Sequence, residues 1–170
     1  MSQTKGPAPG DYGVVHGSGF YSWAIEVGTK SPTSHAFVVV EGNKIVEAQP
    51  SGAIVSPLSK YAHHEVAYND EEYKSPAERE GIVAHAMKLV GTPYNWWDIF
   101  ALTMDSFGLA SPWMWKRAQE EKSLVCSALV SRSYYLGAGI DLANGRPDAT
   151  VTPGDLANRI LFRSWEVATS

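Results

Sequence analysis

Ser34-His-Ala-Phe-Val-Val-Val-Glu-Gly-Asn-Lys-Ile-Val-Glu-Ala48 is the stretch on which the reading of this chain depends. His35 to Val40 is rich in β-branched residues, Glu41-Gly42-Asn43 has turn chemistry, and Lys44 to Ala48 returns as a second apolar run. The pattern predicts a β-hairpin. Its register decides whether two polar residues meet, because strand side chains alternate faces and a slip of one residue moves a whole set across. With a two-residue loop at Gly42-Asn43, Glu47 pairs with Val38 and His35 points to the opposite face. With a three-residue loop at Glu41-Gly42-Asn43, Glu47 pairs with Phe37 and lies diagonal to His35. That diagonal spans roughly 7–8 Å, within reach of a long carboxylate. Gly42 or Asn43 supplies the left-handed residue that such a loop favours.

Outward from the hairpin, Asp11 to Val15 reads as a short strand. Phe20 to Val27 carries Phe20, Trp23, Ala24 and Val27 at helical spacing, with Ser18 as a cap. Lys30 to Ser34 is turn-like around Pro32. Downstream, Val55 to Tyr61 and Glu65 to Tyr68 hold a further turn and strand. Ser75-Pro76-Ala77-Glu78 combines a Ser cap, Pro at the first helical position and Glu at the third. The helix it opens runs through Ile82, Val83, Ala86, Leu89 and Val90 to Gly91. Tyr94 to Trp115 is aromatic and irregular, one short helix plus loops. Cys126 begins a second helix through Leu129, Val130 and Tyr134, closing at Gly137 or Gly139. This order predicts an α+β domain built on an antiparallel sheet.

With 170 residues the chain fits one domain, expected over residues 11–170 behind a flexible Gly- and Pro-rich tail at 1–10. An apolar share of 44% supports a packed core. The net charge of −4 argues against nucleic acid as a partner. One cysteine forms no internal disulfide. Nowhere do 18 apolar residues run together, so no integral membrane span is expected. Met1 to Gly10 lacks the apolar run of a signal peptide. The expected place is therefore the cytoplasm, or a phage-encoded protein, or export by a route without such a mark. The five histidines are scattered without zinc spacing, so neither metal nor cofactor is expected. His63 and His64 are adjacent and point apart in a strand, His85 sits mid-helix in a structural place, and Gly17-Ser-Gly19 is too short for a phosphate loop. Oligomeric state is not set by these features.

A cysteine hydrolase needs a thiolate, a histidine that takes and returns a proton, and a polar group that orients the histidine. Cys126 is the one candidate for the first role. At a helix start, unpaired N–H groups and the helix dipole favour the thiolate and can hold an oxyanion. Taken alone, Cys126 reads more readily as a small buried hydrophobe, since buried cysteine usually packs inertly. His35 alone can be a strand-edge residue with a satisfied ring. Glu47 amid apolar neighbours is either paired or on the solvated face.

Together, His35, Glu47 and a downstream helix-opening Cys126 resemble the permuted branch of the NlpC/P60 superfamily, which includes YiiX-like papain-like amidases. The lecithin retinol acyltransferase proteins are relatives of that branch. Gly10-Asp11, Gly17-Ser-Gly-Phe-Tyr-Ser-Trp-Ala-Ile25 and Ser34-His35 are similar to its N-terminal block. Gly91-Thr-Pro-Tyr-Asn-Trp96 resembles its Gly-x-x-Tyr segment, and Val125-Cys-Ser-Ala-Leu-Val130 its Cys-Ser-x-Leu-Val nucleophile helix. The resemblance implies a circularly permuted papain-like fold with the nucleophile at a helix N-terminus. It implies Cys126 as nucleophile, His35 as base and Glu47 as orienter, with Tyr94 and Ser127 at substrate-binding positions. The chain departs from the pattern at Val125, where the family has Asp. It departs again in the long segment holding Trp96, Trp97, Trp113 and Trp115, which either packs the core or covers a substrate.

The expected activity is cleavage of amide bonds in a peptide or acyl-amide substrate through a thioester acyl-enzyme, with peptidoglycan peptides implied by the resemblance. Two further readings stay open at this point. One is a thioesterase or acyltransferase acting on lipid esters, favoured by an apolar groove beside Cys126. The other is an inactive binding module of the same fold, favoured by a blocked cleft or an unpaired His35.

Overall fold

The computed structural model describes residues 6–16, 33–49, 51–70, 73–93 and 126–168. Five strands form one antiparallel sheet: β1 (Tyr12–His16), β2 (Thr33–Val40), β3 (Lys44–Gln49), β4 (Gly52–Pro57) and β5 (Val66–Tyr68). Their order across the sheet is β4-β3-β2-β1-β5. A 3-10 turn at Leu58–Tyr61 follows β4, another lies at Asp148–Thr150, and three α-helices complete the described part: α1 (Pro76–Lys88), α2 (Cys126–Ala138) and α3 (Pro153–Ala168). The architecture is α+β. Among the described residues no helix is long and apolar enough to cross a membrane.

The central place of β2 explains its composition. A strand covered on both faces has no polar side, so its sequence runs apolar without alternation. Ala36, Val38 and Val40 pack with Ile82, Ala86, Leu129 and Tyr134 beneath the helices. Phe37 and Val39, on the other face, pack with Val15 and Ile45 against Leu58 and Tyr61. The β2–β3 connection is the three-residue loop: Val40 pairs with Lys44 and Phe37 with Glu47. Gly42 and Asn43 both lie in the left-handed region, at φ 73° and 55°. Glycine adopts that conformation freely, and asparagine is among the few other residues that tolerate it.

α1 begins as its sequence dictates. The Ser75 backbone N–H donates to Glu78 Oε2 at 2.7 Å, and the Glu78 N–H donates to Ser75 Oγ at 3.3 Å, closing a capping box. The regular helix ends at Lys88, short of the expected Val90, and Gly91 instead donates its N–H to Ala53 O on β4. α2 runs through Gly137 and ends at Ala138. The chain leaves it at Gly139, φ 71°, with the N–H of Ile140 reaching back to Tyr134 O.

Gly137 has another task. A Cβ built on Gly137 falls 2.4 Å from Gly81 O, and one on Gly81 falls 1.9 Å from Gly137 O. The two helices cross with their backbones in contact, and only glycine fits there. Gly81→Ala is expected to destabilise the protein by about 1–3 kcal/mol or more, because backbone has to move. A thermal midpoint unchanged from wild type would show that the crossing is looser than described.

Three expectations change. Ala8 to Gly10 are not loose: the Gly10 N–H donates to Val39 O, and Arg79 donates to Pro9 O at 2.9 Å. They are tied down because Asp11, 1% exposed, accepts from both Lys74 and Arg79 at 2.9 Å and from the Ala8 N–H at 2.8 Å. β2 starts at Thr33, so the end of the expected Lys30–Ser34 turn is already strand. His63 and His64 lie exposed in the turn before β5 rather than in a strand. The expected helix at Phe20–Val27 with its Ser18 cap, and the Tyr94–Trp115 segment, lie outside the described residues.

Candidate active site

The register set by the odd loop puts His35 and Glu47 on one face of the sheet, and their side chains meet. His35 Nε2 lies 2.9 Å from Glu47 Oε2. The β2–β3 ladder ends at Phe37↔Glu47, leaving the backbone around Ala36 without a β3 partner. α2 uses that position. Cys126, its first described residue, hydrogen-bonds through sulfur to the His35 ring and to the backbone N–H groups of Ala36 and Ser127. With Nε2 committed to Glu47, Nδ1 is the ring nitrogen left for the sulfur.

Glu47 is fully buried, yet it is densely satisfied. Oε2 accepts from Gln49 Nε2 at 2.7 Å and from the Tyr61 hydroxyl at 2.6 Å, besides His35. Oε1 accepts from Lys60 Nζ at 2.6 Å, and Ser56 is a further hydrogen-bond partner of the carboxylate. Tyr61 is held for this by stacking on Phe37, ring centroids 5.2 Å apart and planes 14° from parallel. A buried carboxylate without such partners would be strongly destabilising.

The electrostatics follow from these contacts. Burial on its own pushes the Glu47 carboxyl up, but hydrogen bonds from His35, Lys60, Ser56 and Tyr61 outweigh it and hold the group well below the usual carboxylate range. Burial likewise works against a charged His35. Hydrogen bonds to Cys126 and Glu47, with their negative charge, override it and push the imidazole up to about 9. Burial raises the Cys126 thiol, while the His35 hydrogen bond and charge, and then the Ala36 and Ser127 N–H groups, bring it below the ordinary thiol value. Burial and the Glu47 contact push the Tyr61 phenol up, so it stays a neutral donor. Both shifts favour a thiolate facing an imidazolium. Alkylation of Cys126 is therefore expected to be fast already below the ordinary thiol pKa of about 8.5. Iodoacetamide rates that rise only above that value would contradict the ion pair.

Of the residues singled out from sequence, His35, Glu47 and Cys126 are brought together. Ser127 lies beside them, but its hydroxyl donates to Val151 O, and what it presents to the sulfur is its backbone N–H. Tyr94 lies outside the described residues. Sequence reasoning missed Gln49, Ser56, Lys60 and Tyr61. Gln49 was open to discovery, since it falls two residues after Glu47 and so shares its face.

No protein-family model matches the chain, and no curated protein matches it. Among solved structures it is similar to the crystal structure of the metalloprotein yiiX from Escherichia coli O157:H7, with a TM-score of 0.58 and 20% sequence identity. The match covers 80% of this chain and 69% of that one. The protein has a YiiX-like fold.

Proposed function

We propose that the protein is a cysteine hydrolase of the permuted papain-like, NlpC/P60 kind, cleaving amide bonds through a Cys126-His35-Glu47 triad. The observation that carries this reading is the unbroken hydrogen-bonded chain from the sulfur through the imidazole to a buried carboxylate. A merely structural cysteine needs no such partners, and a binding module that had lost turnover would not need His35 held between the other two.

In this reading the Cys126 thiolate attacks the substrate carbonyl carbon, forming a C–S bond and a tetrahedral oxyanion. Backbone N–H groups around Cys126, Ser127 first among them, would stabilise that charge. The oxyanion collapses as the C–N bond breaks, and His35 gives its proton to the departing amine. Water, deprotonated by the now neutral imidazole, then hydrolyses the thioester. Glu47 keeps the ring oriented and stabilises its charged form. Peptidoglycan peptides are the substrate class that the sequence resemblance suggests.

The solved neighbour is described as a metalloprotein, but the described residues of this site do not fit a metal. Among the described residues no group of three His, Cys, Asp or Glu side chains is arranged to hold one. His35, Glu47 and Cys126 are bound to one another, and the Lys60 ammonium already occupies Oε1 of the carboxylate. No step is routed through a metal.

The test is incubation with an electrophilic acyl probe, peptide mapping of the label, and assay on paired amide and thioester substrates. Label on Cys126 with amide turnover supports the proposal. Thioester turnover alone would move the activity to acyl transfer. No label and no turnover would overturn it.

A further inference from the structure

Among the described residues, Lys60 is the one group at this site whose charge the proposed chemistry does not use. It follows β4 in the 3-10 turn and is 39% exposed, so it is not needed to fill the core. Its ammonium nevertheless lies 2.6 Å from Oε1 of a carboxylate that is fully buried, while Oε2 of the same carboxylate holds His35 at 2.9 Å. One negative charge is thus divided between two cations.

We infer that Lys60 is a positioning residue that sets the pH range of the Cys126–His35 pair by drawing part of the Glu47 charge away from His35. The inference rests on the reading of the site as a cysteine hydrolase. Among the described residues, the groups facing the pair are His35 on β2, Glu47 and Gln49 on β3, Ser56 on β4, Lys60 and Tyr61 on the turn, and Cys126 on α2. His64 stands behind Tyr61, ring centroids 5.4 Å apart. Of these, Lys60 is the one cation that takes no part in the proposed proton transfers.

The sign follows from Coulomb's law. Removing one positive charge makes the site more negative, and both titrating groups then hold their protons more tightly. The thiol gives up its proton at higher pH, and so does the imidazolium. Both limbs of a pH profile should move upward together. Loss of a merely structural contact would lower the rate at every pH and leave the limbs in place.

The experiment uses the full chain and the neutral reagent iodoacetamide, whose rate constant is followed from about pH 4 to about pH 10. In the wild type, one inflection marks formation of the ion pair and a second, near 9, marks loss of the His35 proton. In Lys60→Met both inflections should rise by about half a unit or more, and Lys60→Arg should restore them. Inflections unmoved in Lys60→Met, or moved in opposite directions, would overturn the inference while leaving the hydrolase reading intact. A wild-type thiol that shows no inflection below its ordinary pKa would overturn both.

Discussion

Cys126→Ala is expected to abolish hydrolysis and labelling while leaving the fold nearly unchanged. The chain has one cysteine, so no second thiol can take over. Loss of a nucleophile in comparable triads lowers turnover by about four orders of magnitude or more. The structural cost is small. Cys126 is 3% exposed, and its truncation removes one sulfur atom from the core beside Leu129 and Val130. A void of that size costs about 0.5–1.5 kcal/mol, as for one methyl group. The variant also isolates the histidine. Part of what holds His35 at about 9 is its hydrogen bond to Cys126 and the charge on that sulfur, so its pKa should fall in Cys126→Ala, as read from the ring protons by NMR. Cys126→Ser, closer in shape, should be equally inactive because the alcohol is a far weaker acid. Turnover in Cys126→Ala above about a thousandth of wild type would remove the residue from the chemistry.

How the site became legible depends on which forces build it. The His35–Glu47 pair is a matter of local register: Glu41-Gly42-Asn43 has the residues for an odd loop, and a pleated strand then fixes which side chains share a face. The helix start at Ser75 was likewise readable, because capping acts over one turn, and so was the helical run that follows Cys126, from its apolar spacing. α3 had the same kind of signal and went unread. Thr152 and Asp155 bond each other's backbone N–H groups across its first turn, with Pro153 between them. Lys60 and Tyr61 are different. They stand 13 and 14 residues beyond Glu47, and reach it only because β4 returns along β3 and its following turn folds over Phe37. No pairwise pattern in the sequence encodes that closure. The crossing at Gly81 and Gly137 was hidden for the same reason, since each glycine alone looks like a weak point in a helix. Composition likewise hid the ties at Ala8 to Gly10, where the buried Asp11 anchors the chain just before it.

Glu47→Gln is the second change with a large expected effect, and it tests the carboxylate apart from the thiol. Every described partner of Glu47 can donate: His35 and Tyr61 and Gln49 to Oε2, Lys60 to Oε1, with Ser56 beside them. A carboxylate accepts at both oxygens, whereas a glutamine presents an NH2 group at one end. Either orientation sets donor against donor, and the buried position leaves little room for water. The cost in stability should be about 1–3 kcal/mol. The pH dependence has a definite sign. Glu47 is held below its unfolded value, so its contribution is present above about pH 4.3 and fades as pH falls through its folded range. The gap in urea midpoint between wild type and Glu47→Gln should therefore be wide at neutral pH and narrow in strong acid. His35, raised to about 9, acts in the opposite sense: its contribution is present below about pH 6.5 and is lost as pH rises through 9. Without the Glu47 charge that alkaline loss should shrink. Turnover should drop by about two to four orders of magnitude, less than for the thiol, because a neutral side chain no longer stabilises the imidazolium or fixes its tautomer. Wild-type turnover in Glu47→Gln, with His35 still titrating near 9, would mean that another acceptor orients the ring.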